Sequence, residues 1–372
     1  MRVLHIVNCY FGSKVHSELF RRLDEAGIEQ VVYNVMKKCH GSMAGRNVFD
    51  GRRTDFIFEP ILGFLHRFMF FAKTRATVNN LLQHVNIYSI DVIHASTSHS
   101  DGFVALELHH RFGIPYIVSV RNADLNTHAR VPFLWFRHRK VLDNANKIVC
   151  ITPLLKERLL SNFTLFGIRD RLAKKTVVIP NGVSDYWLNN LRLNRLDKKL
   201  NSVLYIGRFD DDKNVVKLLD AAIQVRKQIP NLKMDLVGGG GPYHDEVMRI
   251  VNDNREWLSF LGEIYDKDKL KVVYRQHDVF AMVSVRETFG LVYLEAMSQG
   301  LKILFSKGQG IDGMFCKHIG EAVNAKSVED IAKGLKLLLE NDYEMLTSEE
   351  LCDFKWDTKT LTYIEMYKAI VD

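Results

Sequence analysis

The chain has 372 residues, 47% hydrophobic and 26% charged, with 7 prolines and 23 glycines. It is long enough for two separate cores and too apolar for a disordered chain or a fibre. The formal charge of +7 is unevenly placed: residues 1–185 carry 25 Lys and Arg against 15 Asp and Glu, while the remainder carries 26 against 29.

In chain order, the apolar run VLHIVN at 3–8 predicts a first strand, then a helix over about Ser17–Glu25, then a strand VVYNV at 31–35. The opening MRVLHIVNCYFG lacks the small-residue cleavage site of a signal peptide. A longer helical stretch follows, and its most apolar part, Ile61–Ala72, is broken by His66 and Arg67 and falls short of the ~20 residues that cross a bilayer. DVIHAS at 91–96, a helix through Val104–His110, YIVSV at 116–120, a helix near 133–143 and KIVCIT at 147–152 complete the first half. The pattern restarts with TVVIPNG, VLYIGR (203–208), MDLVGG (234–239), FLGEI (260–264), VFAMVS (279–284) and KILFS (302–306). Near-continuous apolar strands alternating with helices indicate parallel sheets covered on both faces, hence two doubly wound α/β domains facing a cleft.

The turn pair Asn181-Gly182 and the polar segment 189–201 place the boundary, giving domains 1–185 and 186–355. The closing helix, 356–372, is expected to pack back on the first domain. Cys9, Cys39, Cys150, Cys316 and Cys352 are scattered and never form CxxC, so neither a disulfide framework nor a zinc ribbon is expected, and the compartment is read as reducing, that is, cytoplasmic.

In open parallel sheets ligands bind beyond the carboxyl ends of the strands. After VLYIG come Arg208, FDDD and Lys213 at the expected start of a helix, two cations beside free N–H groups that suit a diphosphate. Ordinary surface cations beside three aspartates remain the alternative. Asp210, Asp211 and Asp212 could hold a divalent metal, but an acidic helix N-terminus explains them as well, and no metal is expected. Gly238-Gly239-Gly240-Gly241-Pro242 leaves a strand in a form that lets backbone approach a phosphate or sugar. Neither this run nor NCYFGSK, with Gly12 alone, has the full dinucleotide fingerprint, so a nicotinamide enzyme is disfavoured.

VFAMVSVRETFGLVYLEAMSQG carries the densest signal: a strand ending at Ser284, a loop with Glu287, and a helix from about Gly290 that presents Glu295. Amides from Phe289 to Val292 suit a phosphate, Glu295 could accept from both hydroxyls of a ribose, and Glu287 could orient a sugar hydroxyl. Two solvated glutamates on an amphipathic helix are the alternative; Leu294, Ala296 and Met297 around Glu295 speak against it. His94 ends an apolar strand and reads as a hydrogen-bonded core residue, as does His16.

Glu287-x7-Glu295 within ETFGLVYLEAMSQG, followed by a short strand and KGQG, resembles the retaining glycosyltransferases of family 4, of GT-B fold. The resemblance extends through IPNGV (179–183), YIGRFDDDKN (205–214), VGGGGP (237–242), FLGEI and the closing helix with Trp356 and Tyr363. It implies that Arg208 and Lys213 hold a donor diphosphate, Glu295 the ribose and Glu287 the donor sugar. Phe289, Gly290 and Leu291 would lend backbone amides, with Gly240 and Gly12 near the ligand and no bound metal or other cofactor. DVIHASTSH departs from the family's HxH at Ser96, which passes the sugar-contacting role to His99 or Arg121, and the family's closing GG becomes Gly308-Gln309-Gly310.

The expected function is transfer of a hexosyl unit from a nucleotide sugar to a hydroxyl of a glycan or lipid-linked acceptor, in cell-surface polysaccharide or lipopolysaccharide synthesis. A nucleotide-sugar epimerase of the same fold and a catalytically silent sugar-nucleotide- or glycan-binding subunit are the alternatives. FLHRFMFFAKTR (64–75) and RVPFLWFRHRKV (130–141) interleave aromatics with basic residues, as a face on an anionic bilayer would, so a peripheral position on the plasma membrane is expected. No nucleic-acid module is visible, and no nucleic-acid partner is expected.

Overall fold

In the computed structural model, residues 1–12, 14–37, 47–67, 69–126, 132–193 and 201–372 are described. They form two compact units, Met1–Gly182 with Trp356–Asp372, and Val183–Lys355. The first holds β1 (Arg2–Ile6), β2 (Glu29–Lys37), β3 (Thr54–Leu62), β4 (Val92–Ala95), β5 (Tyr116–Val120), β6 (Lys147–Cys150) and β7 (Thr176–Val178). They lie in the order β3-β2-β1-β4-β5-β6-β7. The second holds β8 (Ser202–Arg208), β9 (Lys233–Gly239), β10 (Leu258–Phe260), β11 (Val279–Ala281), β12 (Lys302–Ser306) and β13 (Gly320–Val323), in the order β10-β9-β8-β11-β12-β13.

Every strand pair is parallel, with Leu4 opposite Val31 and Ile93 in the first sheet and Val203 opposite Met234 and Val279 in the second. The central strands β4, β5 and β11 are buried along their whole length, which is why they read as unbroken apolar runs.

Three expectations fail, all at sheet edges. TDFIFEPIL, read as part of a helical stretch, is the edge strand β3; an edge tolerates Asp55, Glu59 and Pro60 because one side of its backbone needs no ladder partner. GEAV, read as no element, is the opposite kind of edge, the four-residue β13. The strand taken as FLGEI is LSF, two residues earlier; Gly262, at φ +73°, lies outside it and its carbonyl accepts from Gly238 N at 2.9 Å. The segment 189–201 includes 194–200, and the two aromatic-basic segments include Phe68, Arg130 and Val131; these, with Cys39, lie outside the described residues.

The closing helix, Trp356–Val371, belongs to the first unit. Trp356, Tyr363 and Tyr367 join Val3, Phe20, Ile117 and Val149 in its core. His94 is fixed there by hydrogen bonds between Nδ1 and the Tyr367 hydroxyl at 2.8 Å and between Nε2 and Ser119 Oγ at 3.0 Å, one ring nitrogen donating and the other accepting. His16 is buried too, with Nε2 at 3.6 Å from Cys9 Sγ. No helix of the described residues is long and apolar enough to cross a membrane.

Candidate functional site

In each sheet the chain reverses its direction of winding between two central neighbours, β1 and β4 in one and β8 and β11 in the other, and the crevice at such a switch point is where open α/β sheets take ligands. In the second unit the loops leaving β8 and β11 are tied together. Val285 N donates to Asp212 O at 2.8 Å, and Asn214 Nδ2 donates to Val283 O at 3.1 Å.

Across this junction Lys213 Nζ meets Glu287 Oε2 at 2.6 Å, with Glu287 the more buried partner. Lys213 does not open the helix as expected: the helix is Val215–Arg226, and Asn214, at φ +54°, is its N-cap. Glu287 is gripped from its other sides. Thr288 N donates to its Oε1 at 3.0 Å, its own N–H donates to Gln309 Oε1 at 3.2 Å, and its carbonyl accepts from Gly310 N at 3.2 Å. Gly310 has φ +55°, and a Cβ there would come within 2.9 Å of Glu287 Cγ; Gly290, at φ +80°, would collide with the Tyr293 ring at 2.5 Å. Both positions therefore demand glycine. Gln309, noted in the sequence only as a departure from the family's GG, thus supplies an acceptor that holds the Glu287 backbone.

Arg208, the last residue of β8, is 74% exposed, with Nε 3.6 Å from Asp210 Oδ2. The three aspartates face three different partners. Asp210 accepts from Lys213 N at 3.1 Å, Asp211 from the Tyr243 hydroxyl at 2.6 Å, and Asp212 pairs with Arg286 Nε at 2.6 Å. Among the described residues no group of three His, Cys, Asp or Glu is placed to hold a metal ion. The glycine run folds over the end of β8, with Phe209 N donating to Gly240 O at 3.3 Å and Tyr243 N to Phe209 O at 3.1 Å.

The helix Leu291–Ser298 starts at Gly290 and is anchored by the buried Tyr293, whose hydroxyl donates to Met282 O at 2.5 Å. Phe289 is buried and Gly290 has no side chain, so from these two it is backbone that remains to meet a ligand. Glu295 sits on the fifth residue of the helix, half-buried, and accepts from the Tyr274 hydroxyl at 3.3 Å. Burial pushes its carboxyl up to about 7, against hydrogen bonds from Tyr274 and Trp187 and the charge of Lys267 that draw it down. Tyr274 and Trp187, packed edge to face at 5.3 Å, are site residues that carried no pattern in the sequence.

A carboxyl raised by folding holds a proton that the unfolded chain has already lost, so this cost is absent below about pH 4.5, grows between there and about 7, and is complete above it. Glu295→Gln should therefore match the wild type in stability at pH 4 and exceed it at pH 8 by about 1–2 kcal/mol, in denaturant melts. An equal difference at both pH values would contradict this.

At the first sheet's switch point, Gly12 ends the turn after β1, its N–H donating to Cys9 O at 3.1 Å. Asp124 gathers the loops after β4 and β5, accepting from Ser98 N and His99 N at 3.2 Å and from Arg121 N at 2.8 Å. His99 is 1% exposed, stacked on His138 with ring centroids 4.0 Å apart, and has Nδ1 3.3 Å from Asp124 Oδ1. Burial would raise Asp124, but the hydrogen bond and charge of His99 and the Arg121 amide outweigh it and hold the carboxyl below its ordinary range. Arg121 is half-buried with Nε 3.4 Å from Ser96 O, while Ser96 itself is buried. The structure thus brings His99 and Arg121 together around one carboxylate; Gly12 lies on the loop from β1.

These two sheets, each with its crevice at a strand-order reversal, are those of a GT-B-like fold. A lipopolysaccharide outer core galactosyltransferase has the same fold, with TM-score 0.72 and 16% identity over 98% of this chain and 99% of the other. A protein from Anabaena, solved with UDP and glucose, gives TM-score 0.67 and 15% identity over 99% of this chain and 100% of the other. The model of glycosyltransferase family 4 matches residues 13–185, and that of glycosyl transferases group 1 matches residues 190–351. The chain belongs to glycosyltransferase family 4. Phosphatidyl-myo-inositol mannosyltransferase of Mycobacterium tuberculosis is 30% identical over 216 residues, 54% of this chain and 56% of the relative, so the chain spans about half the length of the curated relatives it matches.

Proposed function

We propose that the chain transfers a hexosyl unit from a nucleoside-diphosphate sugar to a hydroxyl of a glycan or lipid-linked acceptor, the second unit taking the donor and the first the acceptor. The observation that carries this reading is the Lys213–Glu287 pair at the second sheet's switch point, beside the exposed Arg208. Arg208 and Lys213 stabilise the charge that grows on the diphosphate as the bond from the anomeric carbon to its oxygen breaks. The amides at Gly290 and Leu291 add donors, ionised Glu295 accepts from the ribose hydroxyls, and Glu287 orients the sugar. The acceptor oxygen then bonds to the anomeric carbon on the face the diphosphate leaves, and its proton passes to the departing phosphate.

The acceptor class is supported by the names of the relatives, one acting on a phosphatidylinositol and one on a lipopolysaccharide core. A thermal-shift screen of nucleotide sugars tests the donor: one that binds only the folded chain raises its melting temperature, and a complete lack of shifts across uridine, guanosine and adenosine donors would refute the reading.

A membrane face on the first unit is part of the proposal. Phe64, Phe71 and Phe136 are 77%, 56% and 80% exposed, and Arg75 and Lys140 are exposed beside them in sequence. Arg137 and Arg139, two of the basic residues of the second aromatic-basic segment, are engaged with other side chains and backbone of the first unit. The Arg137 guanidinium lies 5.0 Å from the Phe71 and Phe103 ring centroids, and Arg139 donates to Phe166 O at 2.6 Å. Vesicles of anionic lipid should bind the protein and release it as salt is raised, and Arg75→Gln with Lys140→Gln should weaken binding by about 1 kcal/mol each at low ionic strength. Equal binding to neutral vesicles, or none to anionic ones, would contradict it.

A further inference from the structure

The first unit has a cavity of about 360 Å³ beyond the carboxyl ends of β1, β2 and β3. Asn8 and Gly12 reach it from the loop after β1, Asn34 and Lys37 from β2, Leu62 from the end of β3, and Lys73 from the helix Phe70–His84. We propose that this cavity binds a phosphorylated polyol, with Lys37 and Lys73 on the phosphate and Asn34 on a hydroxyl. The proposal deepens the acceptor reading above and rests on it.

Asn34 supplies the hydroxyl site. It is 1% exposed, its Nδ2 donates to the Val7 carbonyl, and its Oδ1 has no hydrogen-bond partner among the described residues. A buried amide oxygen left without a donor is unfavourable, and a ligand hydroxyl would supply the missing donor. Lys73 is positioned rather than loose. Its Nζ donates to Ser100 Oγ at 2.6 Å, the same oxygen that accepts from Asn8 Nδ2 at 2.7 Å, and Asn8 also donates to Asp101, which is fully buried. An ammonium has three donors, so Lys73 can bridge Ser100 and a ligand at once. Lys37 is exposed at the end of β2 and supplies the second cation. Leu62 and Phe11 line the same cavity and give it an apolar side suited to the carbon skeleton of a polyol or the glycerol of a lipid. The surplus of positive charge in residues 1–185 favours an anion on this unit.

Cys9 also lines the cavity and is exposed. Burial of its thiol and the charge of Asp101 push it up to about 11, so iodoacetamide alkylation is run at about pH 9, where enough thiolate forms, and peptide mass spectrometry then reports occupancy without an activity assay. Glycerol 3-phosphate should slow Cys9 alkylation at least fivefold, glycerol should not, and inorganic phosphate should act more weakly. Lys37→Gln and Lys73→Gln should each remove most of that protection; Lys37→Gln is at an exposed position, so it serves if Lys73→Gln lowers the melting temperature. Phosphatidylglycerol vesicles distinguish the source: protection by vesicles at lower phosphate concentration than by glycerol 3-phosphate assigns a lipid headgroup, and the reverse a soluble ester. Equal protection by glycerol and its phosphate, no protection by any probe, or full protection of Lys37→Gln would overturn the proposal. Nucleoside-diphosphate affinity, titrated on the same samples, separates the cases: intact affinity with no Cys9 protection removes this site alone, whereas absent affinity removes the donor reading.

Discussion

Lys213→Ala is expected to lower kcat by about two to three orders of magnitude, the loss that follows when one fixed donor to a developing negative charge is removed from a site, ~3–4 kcal/mol. The ammonium is already anchored on Glu287 at 2.6 Å before any ligand arrives, so it is aimed without reorganisation when the diphosphate departs. The same contact makes the two residues interdependent. Glu287→Ala frees Lys213 as well as removing the sugar contact, so the double variant should be no worse than the poorer single one by more than about threefold. Steady-state kinetics of the four proteins forms the cycle; strictly multiplicative effects, or a Lys213→Ala enzyme within fivefold of wild type, would break the proposed link.

Arg208→Ala should act on binding first. Its side chain is 74% exposed and meets Asp210 only at 3.6 Å, so almost all its hydrogen-bonding capacity is available to a ligand. Losing a charge-assisted contact of this kind costs roughly 1.5–3 kcal/mol, a ten- to 150-fold weaker Kd for the bare nucleoside diphosphate. The fold should be untouched, because the residue contributes no core packing. Calorimetry that finds an unchanged Kd would take Arg208 out of the diphosphate site.

What the sequence disclosed depends on how much of a residue's role is local. The central strands are buried on both faces and so appear as continuous apolar runs, whereas β3 and β13 are edges that mix Asp, Glu, Pro or Gly into the strand and lose that signature. Arg208, Lys213 and Glu287 were visible because each stands within about half a dozen residues of a strand end that the apolar pattern marks, and Glu295 because it interrupts an apolar helix between Leu294 and Ala296. Their pairing was not: the contact of Lys213 with Glu287 joins positions 74 residues apart, and nothing in either segment states which cation turns toward which acid. Tyr274 and Trp187 were invisible for the same reason, since an aromatic residue on an amphipathic helix looks like any other core residue until the chain folds it against Glu295. The cavity at Asn34 and Lys73 shows the converse case. Asn34 sits inside an otherwise apolar strand, a polar interruption the pattern reading passed over, and its meaning appears only when β2 is placed beside β1.

Hydrogen exchange of the full chain with and without a saturating nucleoside diphosphate tests most directly whether the donor occupies the second unit's switch point. The account predicts slowed exchange in the segments 207–214, 238–242, 287–295 and 308–310, with the Arg208→Ala chain showing little of it at the same ligand concentration. Protection confined to the loops of the first unit, or none with any nucleoside diphosphate that the chain binds, would contradict it.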